Sequence, residues 1–257
     1  LNRIWGLDAK NVWAVGDSGS VVRCGGGSSD CTALSSGTTK TLASVWGSDA
    51  SNIYAVGSGY TIVRCSAGSN NCTLLSLSQN LNSNNDPRNA FSAIWGSDAN
   101  HVYAVGSFGS MAICGTGQSI CIVPPKPAVP NSLTGIWGSD ASNIYAVGTQ
   151  ATIVGNATGV WSPIDGISIP PGQQGAALIS VWGSDAEHVY AVGQLGLIVR
   201  CTPGSPTPTC TVGGKQLGEN FYAVWGSDPS HVYAVGSGGT VARWDTTFTP
   251  TPLTSNA

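Results

Sequence analysis

Six aspartates recur at matched places in the chain: Asp8, Asp49, Asp98, Asp140, Asp185 and Asp228. Three residues after each stands Asn11, Asn52, His101, Asn143, His188 or His231. Carboxylate and imidazole are the groups of metal binding and acid–base catalysis, so these pairs are the first candidates for chemistry. Each pair belongs to its own repeat, and equivalent places on different repeats lie well apart, which keeps the three histidines from sharing one ion. A plainer role suffices: Asp at the head of a tight turn accepts backbone N–H groups two residues on. The Asn or His tolerates positive φ and is expected to be a left-handed turn residue. A ring of the six carboxylates holding a cation is the alternative; no metal and no cofactor is assigned.

The eight cysteines fall as Cys24/Cys31, Cys65/Cys72, Cys114/Cys121 and Cys201/Cys210. Each pair lies at the end of one expected strand and the start of the next, where hairpin partners come within disulfide reach. A metal site would need a second pair of ligands nearby, and none is at hand. Four disulfides place the protein in an oxidising compartment: secreted, periplasmic or cell-surface. Arg23, Arg64, Arg200 and Arg243 recur at the same strand ends and are expected to pair with an Asp, their alkyl stems lying on the sheet. No Ser, His and Asp arrangement resembles a hydrolase motif, and the chain is read as a non-enzyme.

Only 9% of the residues are charged and the net charge is −3. That balance gives no reason to expect nucleic acid or an acidic membrane surface as partner. Nor does any apolar run reach the length of a membrane span. The first residue is Leu1 rather than Met, and both ends fall at repeat boundaries, so a mature, trimmed or partial chain is expected.

The elements that hold these residues come from one stretch written six times. Its fullest form is VWGSDASNIYAVGSGYTIVRC, from Val45 to Cys65. The copies carry Trp5, Trp46, Trp95, Trp137, Trp182 and Trp225, spaced 41 to 49 residues apart. Within a copy, Ser44–Gly47 and Asn52–Gly57 read as strands around a Ser-Asp turn. Thr61–Cys65 and Cys72–Leu75 read as two more, rich in β-branched and aromatic residues. Each unit is thus a four-stranded meander with apolar residues on both faces. Ile53 and Ala55 point one way, Tyr54 and Val56 the other, and stacking the units buries both. The Trp rings are expected to wedge between neighbours, each burying on the order of 200 Å². A repeat of this length and content predicts an all-β fold, a six-bladed β-propeller filling residues 1–257 as one domain. The blades are placed at about 1–40, 41–90, 91–132, 133–177, 178–220 and 221–257.

The sixfold WGSDAxNVYAVG-type core resembles the repeats of secreted bacterial β-propellers. More distantly it is similar to BNR-type and photosystem II assembly-factor propellers and to the tectonin lectins. The Asp-box of sialidases, SxDxGxTW, does not occur, and Trp244-Asp245 is a lone match to the dipeptide of WD repeats. Packing and turn formation explain the residues that recur, so function is expected where repeats differ. The variable places are the turns after the second strand: Asp17-Ser18, Gly59-Tyr60, Phe108, Thr149-Gln150, Gln194-Leu195 and Ser237-Gly238. Tyr60, Phe108, Gln150 and Leu195 are the candidate ligand contacts, since aromatic faces stack on sugars and amides bond to hydroxyls. The expected function is a non-catalytic extracellular module recognising a glycan or a surface protein through these tips. A structural subunit of a cell-surface assembly is the alternative, since a surface poor in charge resembles an interface.

Overall fold

The computed structural model describes residues 1–25, 31–81, 86–125, 129–156, 159–204, 208–213, 218–244 and 251–253. The chain divides into two compact units, Leu1–Lys126 and Pro127–Ala257. Among the described residues no helix is long and apolar enough to cross a membrane.

In the first unit, repeat 1 is the antiparallel sheet β1 (Arg3–Asp8), β2 (Asn11–Val15), β3 (Val21–Cys24) and β4 (Cys31–Leu34). Repeat 2 contributes β5 (Leu42–Asp49), β6 (Asn52–Gly57), β7 (Thr61–Cys65) and β8 (Thr73–Leu77). Repeat 3 contributes β9 (Phe91–Asp98), β10 (His101–Gly106), β11 (Met111–Cys114) and β12 (Ile120–Cys121). The expected meander holds in repeats 1 and 2 and changes in repeat 3. There β12 runs parallel to β8 of repeat 2, pairing Ile120 with Ser76 and Cys121 with Leu77. Besides the Cys114–Cys121 disulfide, its pairing with β11 is one bridge just past its end, Ile113 with Ile122. Pro124 and Pro125 follow at once and bring no N–H, so β12 cannot extend along β11.

In the second unit, repeat 4 is β13 (Leu133–Asp140), β14 (Asn143–Gly148), β15 (Ile153–Asn156) and β16 (Trp161–Pro163). Repeat 5 is β17 (Leu178–Asp185), β18 (His188–Gly193), β19 (Ile198–Thr202) and β20 (Thr209–Val212). Repeat 6 is β21 (Phe221–Asp228), β22 (His231–Gly236), β23 (Val241–Trp244) and β24 (Thr251–Leu253). Each forms a four-stranded sheet in chain order. Residues 245–250 and 254–257, on either side of β24, lie outside the described residues.

The cores lie between sheets, as strand alternation requires. Ile53, Ala55 and Val63 of repeat 2 pack with Trp13, Val15 and Val21 of repeat 1. From the opposite face, Tyr54, Val56 and Ile62 pack with Phe91, Ile94 and Val102 of repeat 3. The second unit repeats the scheme with Tyr145 and Val147 against Val189 and Ala191, then Tyr190 and Val192 against Val232 and Ala234.

The tryptophans act as knobs between sheets. Trp5 rests over Gly47, Trp46 over Gly96, Trp137 over Gly183 and Trp182 over Gly226. A methyl group on Gly96 would lie 2.6 Å from Trp46 Cη2, and one on Gly183 2.5 Å from Trp137 Cη2. At these four places the Gly of the motif is therefore a socket for the ring of the preceding repeat.

All four expected disulfides are present: Cys24–Cys31, Cys65–Cys72, Cys114–Cys121 and Cys201–Cys210. Each closes a hairpin within one repeat. They mark an oxidising, extracellular type of compartment.

Candidate binding surface at the hairpin tips

The six aspartates are consumed by their own turns. Asp8, Asp49, Asp98, Asp140, Asp185 and Asp228 each accept the backbone N–H two residues on, at 2.7 to 2.9 Å. The Asn or His three residues on also bonds to the carboxylate; His101, His188 and His231 meet it through Nδ1 at 2.8, 2.8 and 2.9 Å. Those Asn and His residues do not take positive φ, contrary to expectation. Their side chains reach back to the carboxylate from the first position of the following strand, so the turn needs no left-handed residue there. At Asp8 the Asn11 amide and Lys10 N–H hold the carboxyl below its ordinary value. At Asp49 partial burial works upward, and the donors Asn52, Ser51 and Ser48 outweigh it.

The expected Arg–Asp pairs are absent among the described residues. Arg23 instead donates to the Ala67 carbonyl of the next repeat and lies 5.9 Å from the Trp13 ring centroid. Arg243 Nη2 lies 3.4 Å from the Ser230 carbonyl oxygen. Both carbonyls belong to turns, Ala67 after β7 and Ser230 between β21 and β22, whereas the repeated Asp residues are engaged by their own turns.

Left-handed backbone occurs at the turns joining the second and third strands of each repeat. The two central residues have positive φ throughout: Ser18-Gly19, Gly59-Tyr60, Phe108-Gly109, Gln150-Ala151, Leu195-Gly196 and Gly238-Gly239. The N–H of the fourth residue bonds to the carbonyl of the first, at 3.0 to 3.4 Å. This is the mirror-image turn whose twist matches a hairpin. Holding Ser, Tyr, Phe, Gln or Leu in that conformation costs about 1 kcal/mol each.

The two central positions differ in direction. The second is buried at Gly19, Tyr60, Gly109, Ala151 and Gly196, and a methyl group on Gly19 would lie 2.0 Å from the Thr38 carbonyl oxygen. The first is exposed at Ser18, Gln150, Leu195 and Gly238 and half-buried at Gly59 and Phe108. Tyr60 thus corrects an expectation. It occupies the inward position, one residue out of register with Phe108, and only 5% of it is exposed. Its ring meets Phe91 edge-on at 5.1 Å. Its hydroxyl lies 3.3 Å from Asn89 Oδ1 and from the Ser107 carbonyl, and 3.1 Å from Ser110 Oγ. Tyr60 clamps repeat 2 to repeat 3.

Phe108 stands at the outward position of the first unit, with the Arg88 guanidinium 5.2 Å from its ring centroid. Arg88 is fixed in turn by Asp86 at 2.6 Å. In the second unit Gln150 borders a cleft of about 280 Å³ lined also by Asn131, Thr152, Asp165, Ile167 and Ile169. Leu195 is 45% exposed. Its turn is gripped from both sides: Asn220 Oδ1 accepts the Leu195 N–H at 2.9 Å, and Gln173 Nε2 donates to the Leu195 carbonyl at 2.7 Å. A second cleft, about 740 Å³, lies beside Ser18 in repeat 1, with Ser20, Ala33, Ser35, Ser36 and Lys40 in its walls. Arg88, Gln173 and Asn220 were not among the residues the sequence pointed to. They lie in the irregular connections, where no periodic signal exists; only the placement of Gly before or after the bulky residue could have sorted Tyr60 from Phe108.

The sequence matches no protein-family model and no curated relative. Solved structures resemble the fold. YCF48 from Cyanidioschyzon merolae aligns with a TM-score of 0.68 at 15% identity, over 97% of this chain and 84% of that one. The WD40 β-propeller domain of Doa1 gives 0.66 at 14% identity, over 99% and 82%. YCF48 bound to D1 peptide gives 0.53 at 12% identity, over 95% and 91%. At such identities the likeness speaks to fold alone, and the fold is that of β-propellers.

Proposed function

We propose that each of the six repeats is one blade of a propeller working in an extracellular or periplasmic setting as a non-catalytic binding module. Its ligand is a segment of another protein, taken within a unit at the outward positions of that unit's hairpin tips. The observation that carries this reading is the presence of Phe108, Gln150 and Leu195 in left-handed backbone, where glycine would be strain-free. Bulky residues held at that cost, pinned by buried or bonded neighbours, suit a preorganised contact surface. A protein segment is favoured over a glycan because few aromatic faces are free to stack on sugars: Tyr60 packs inward and a guanidinium lies over one face of the Phe108 ring. Leu195 offers an aliphatic anchor, and the similar YCF48 is known with a bound peptide. The alternative, a structural subunit of a cell-surface assembly, draws on the exposed ring of Trp225.

Selection of phage-displayed peptides against the immobilised protein, beside a glycan array, tests the reading. Peptide binders are expected that lose about tenfold or more in affinity with Leu195→Asp or Phe108→Ser, while the melting temperature holds. Glycan binding alone, or peptide binding indifferent to both substitutions, would sink the proposal.

A further inference from the structure

The residue two places before the first strand of a repeat differs from copy to copy. It is Asn89 in repeat 3 and Ala176 in repeat 5; both are 2% exposed, and each gives its carbonyl to an N–H of the preceding repeat's tip. In repeat 6 it is Glu219, and it is exposed. Glu219 lies between two tips of the second unit. Its neighbour Asn220 accepts the Leu195 N–H of repeat 5 through Oδ1 at 2.9 Å. Asn220 is also bonded to repeat 6: its N–H donates to Ser237 Oγ at 3.0 Å, and its carbonyl accepts the Ser237 N–H at 2.8 Å. The Ser237 hydroxyl donates in turn to Glu219 Oε2 at 2.6 Å. A methyl group on Gly238 would lie 3.8 Å from that oxygen, so the carboxylate stands beside the glycine tip of repeat 6. Among the described residues no Lys, Arg or His forms an ion pair with it.

One connection thus holds an exposed aliphatic side chain and a fixed carboxylate at successive residues: Asn220 grips the Leu195 turn, and Glu219 carries the charge. The two match the two halves of a long basic side chain, whose methylene stem packs on apolar surface while its charged end meets an anion. Resting on the binding reading above, we infer that the tips of repeats 5 and 6 form a subsite for one Lys or Arg side chain of the partner segment. Its stem lies against Leu195 and its cation meets the Glu219 carboxylate. Gly238 has no side chain at the outward position of its tip, which leaves the approach to that carboxylate open. The charge selects the partner, and the aliphatic contact anchors it.

The probes are peptides selected by phage display on the immobilised protein, then titrated at low and high salt. They are expected to carry Lys or Arg, to bind about tenfold more weakly when that residue becomes Ala, and to weaken as salt rises. Glu219→Gln keeps an acceptor for Ser237, so the turn stays intact, and it should cost the same factor of about ten. Pairing Glu219→Lys with a peptide whose basic residue is changed to Glu should bring binding back. Lys215 lies outside the described residues, and Lys215→Gln should leave the affinity unchanged. A gain of about tenfold there would show the carboxylate engaged by its own chain and would overturn the inference. Binders that need Leu195 yet ignore Glu219→Gln, or that carry no basic residue, would also overturn it while the broader binding reading stands. The absence of any Leu195-dependent binder would defeat both.

Discussion

At Asp86 the carboxylate accepts hydrogen bonds from Arg88 Nε at 3.0 and 3.2 Å, from Nη2 at 2.6 Å and from the Arg88 backbone N–H at 2.8 Å. Those side-chain bonds, then the backbone one, hold its pKa at about 2, below the ordinary 3.8. A folded value below the unfolded one contributes stability that is fully present above the unfolded value. It is lost as the pH falls through the folded value. The urea midpoint is therefore expected to drop as the pH is lowered from 3.8 towards 2, and Asp86→Asn should flatten that part of the curve. An unchanged slope in the variant would count against the pair. The six turn aspartates are lowered in the same direction, and acid should loosen them too. At this scale the sequence was legible where a side chain serves its own turn, as at Asp49 and Cys65. It was not legible at Tyr60, whose direction depends on which of two left-handed positions it fills.

Outer strands tie neighbouring repeats together in the first unit. Ser76 N–H donates to the Ser119 carbonyl and Ser78 N–H to the Cys121 carbonyl, both at 2.9 Å. Repeats 1 and 2 are joined likewise, by Ser35 N–H to the Asn70 carbonyl at 3.0 Å and Cys72 N–H to the Ser35 carbonyl at 2.8 Å. The Cys114–Cys121 disulfide, which closes the hairpin between β11 and β12, thus positions a strand that another repeat uses. Opening it by replacing both cysteines with serine should speed hydrogen exchange at the Ser76 and Ser78 amides, some forty residues away in sequence. Exchange that stays confined to repeat 3 would contradict this coupling. Inner strands were readable because their apolar pattern alternates. The parallel pairing of β12 was not, since two residues give no period.

Across the whole molecule the same Trp–Gly contact sets where substitutions are costly. Gly96→Ala would place a methyl group 2.6 Å from Trp46 and 2.9 Å from the His101 carbonyl oxygen, and is expected to cost about 1–3 kcal/mol. Gly6→Ala meets nothing nearer than Val12 Cγ2 at 3.4 Å and should be nearly neutral. Chemical denaturation of the two variants side by side measures the difference, and equal losses would refute the socket. The sixfold repeat disclosed the motif in both places. What it could not disclose is which ring seats on which glycine, because the two stand in different copies of the motif.

The Cys65–Cys72 bridge spans a hairpin whose connecting residues, Ser66 to Asn71, are half-buried or exposed. Surface segments of this kind are where proteases cut first. A single cut there leaves the two flanking strands covalently joined, so the chain survives as one particle of nearly unchanged mass until a reductant reaches it. In a compartment where hydrolytic enzymes share the fluid, damage at this site is contained before it becomes unfolding.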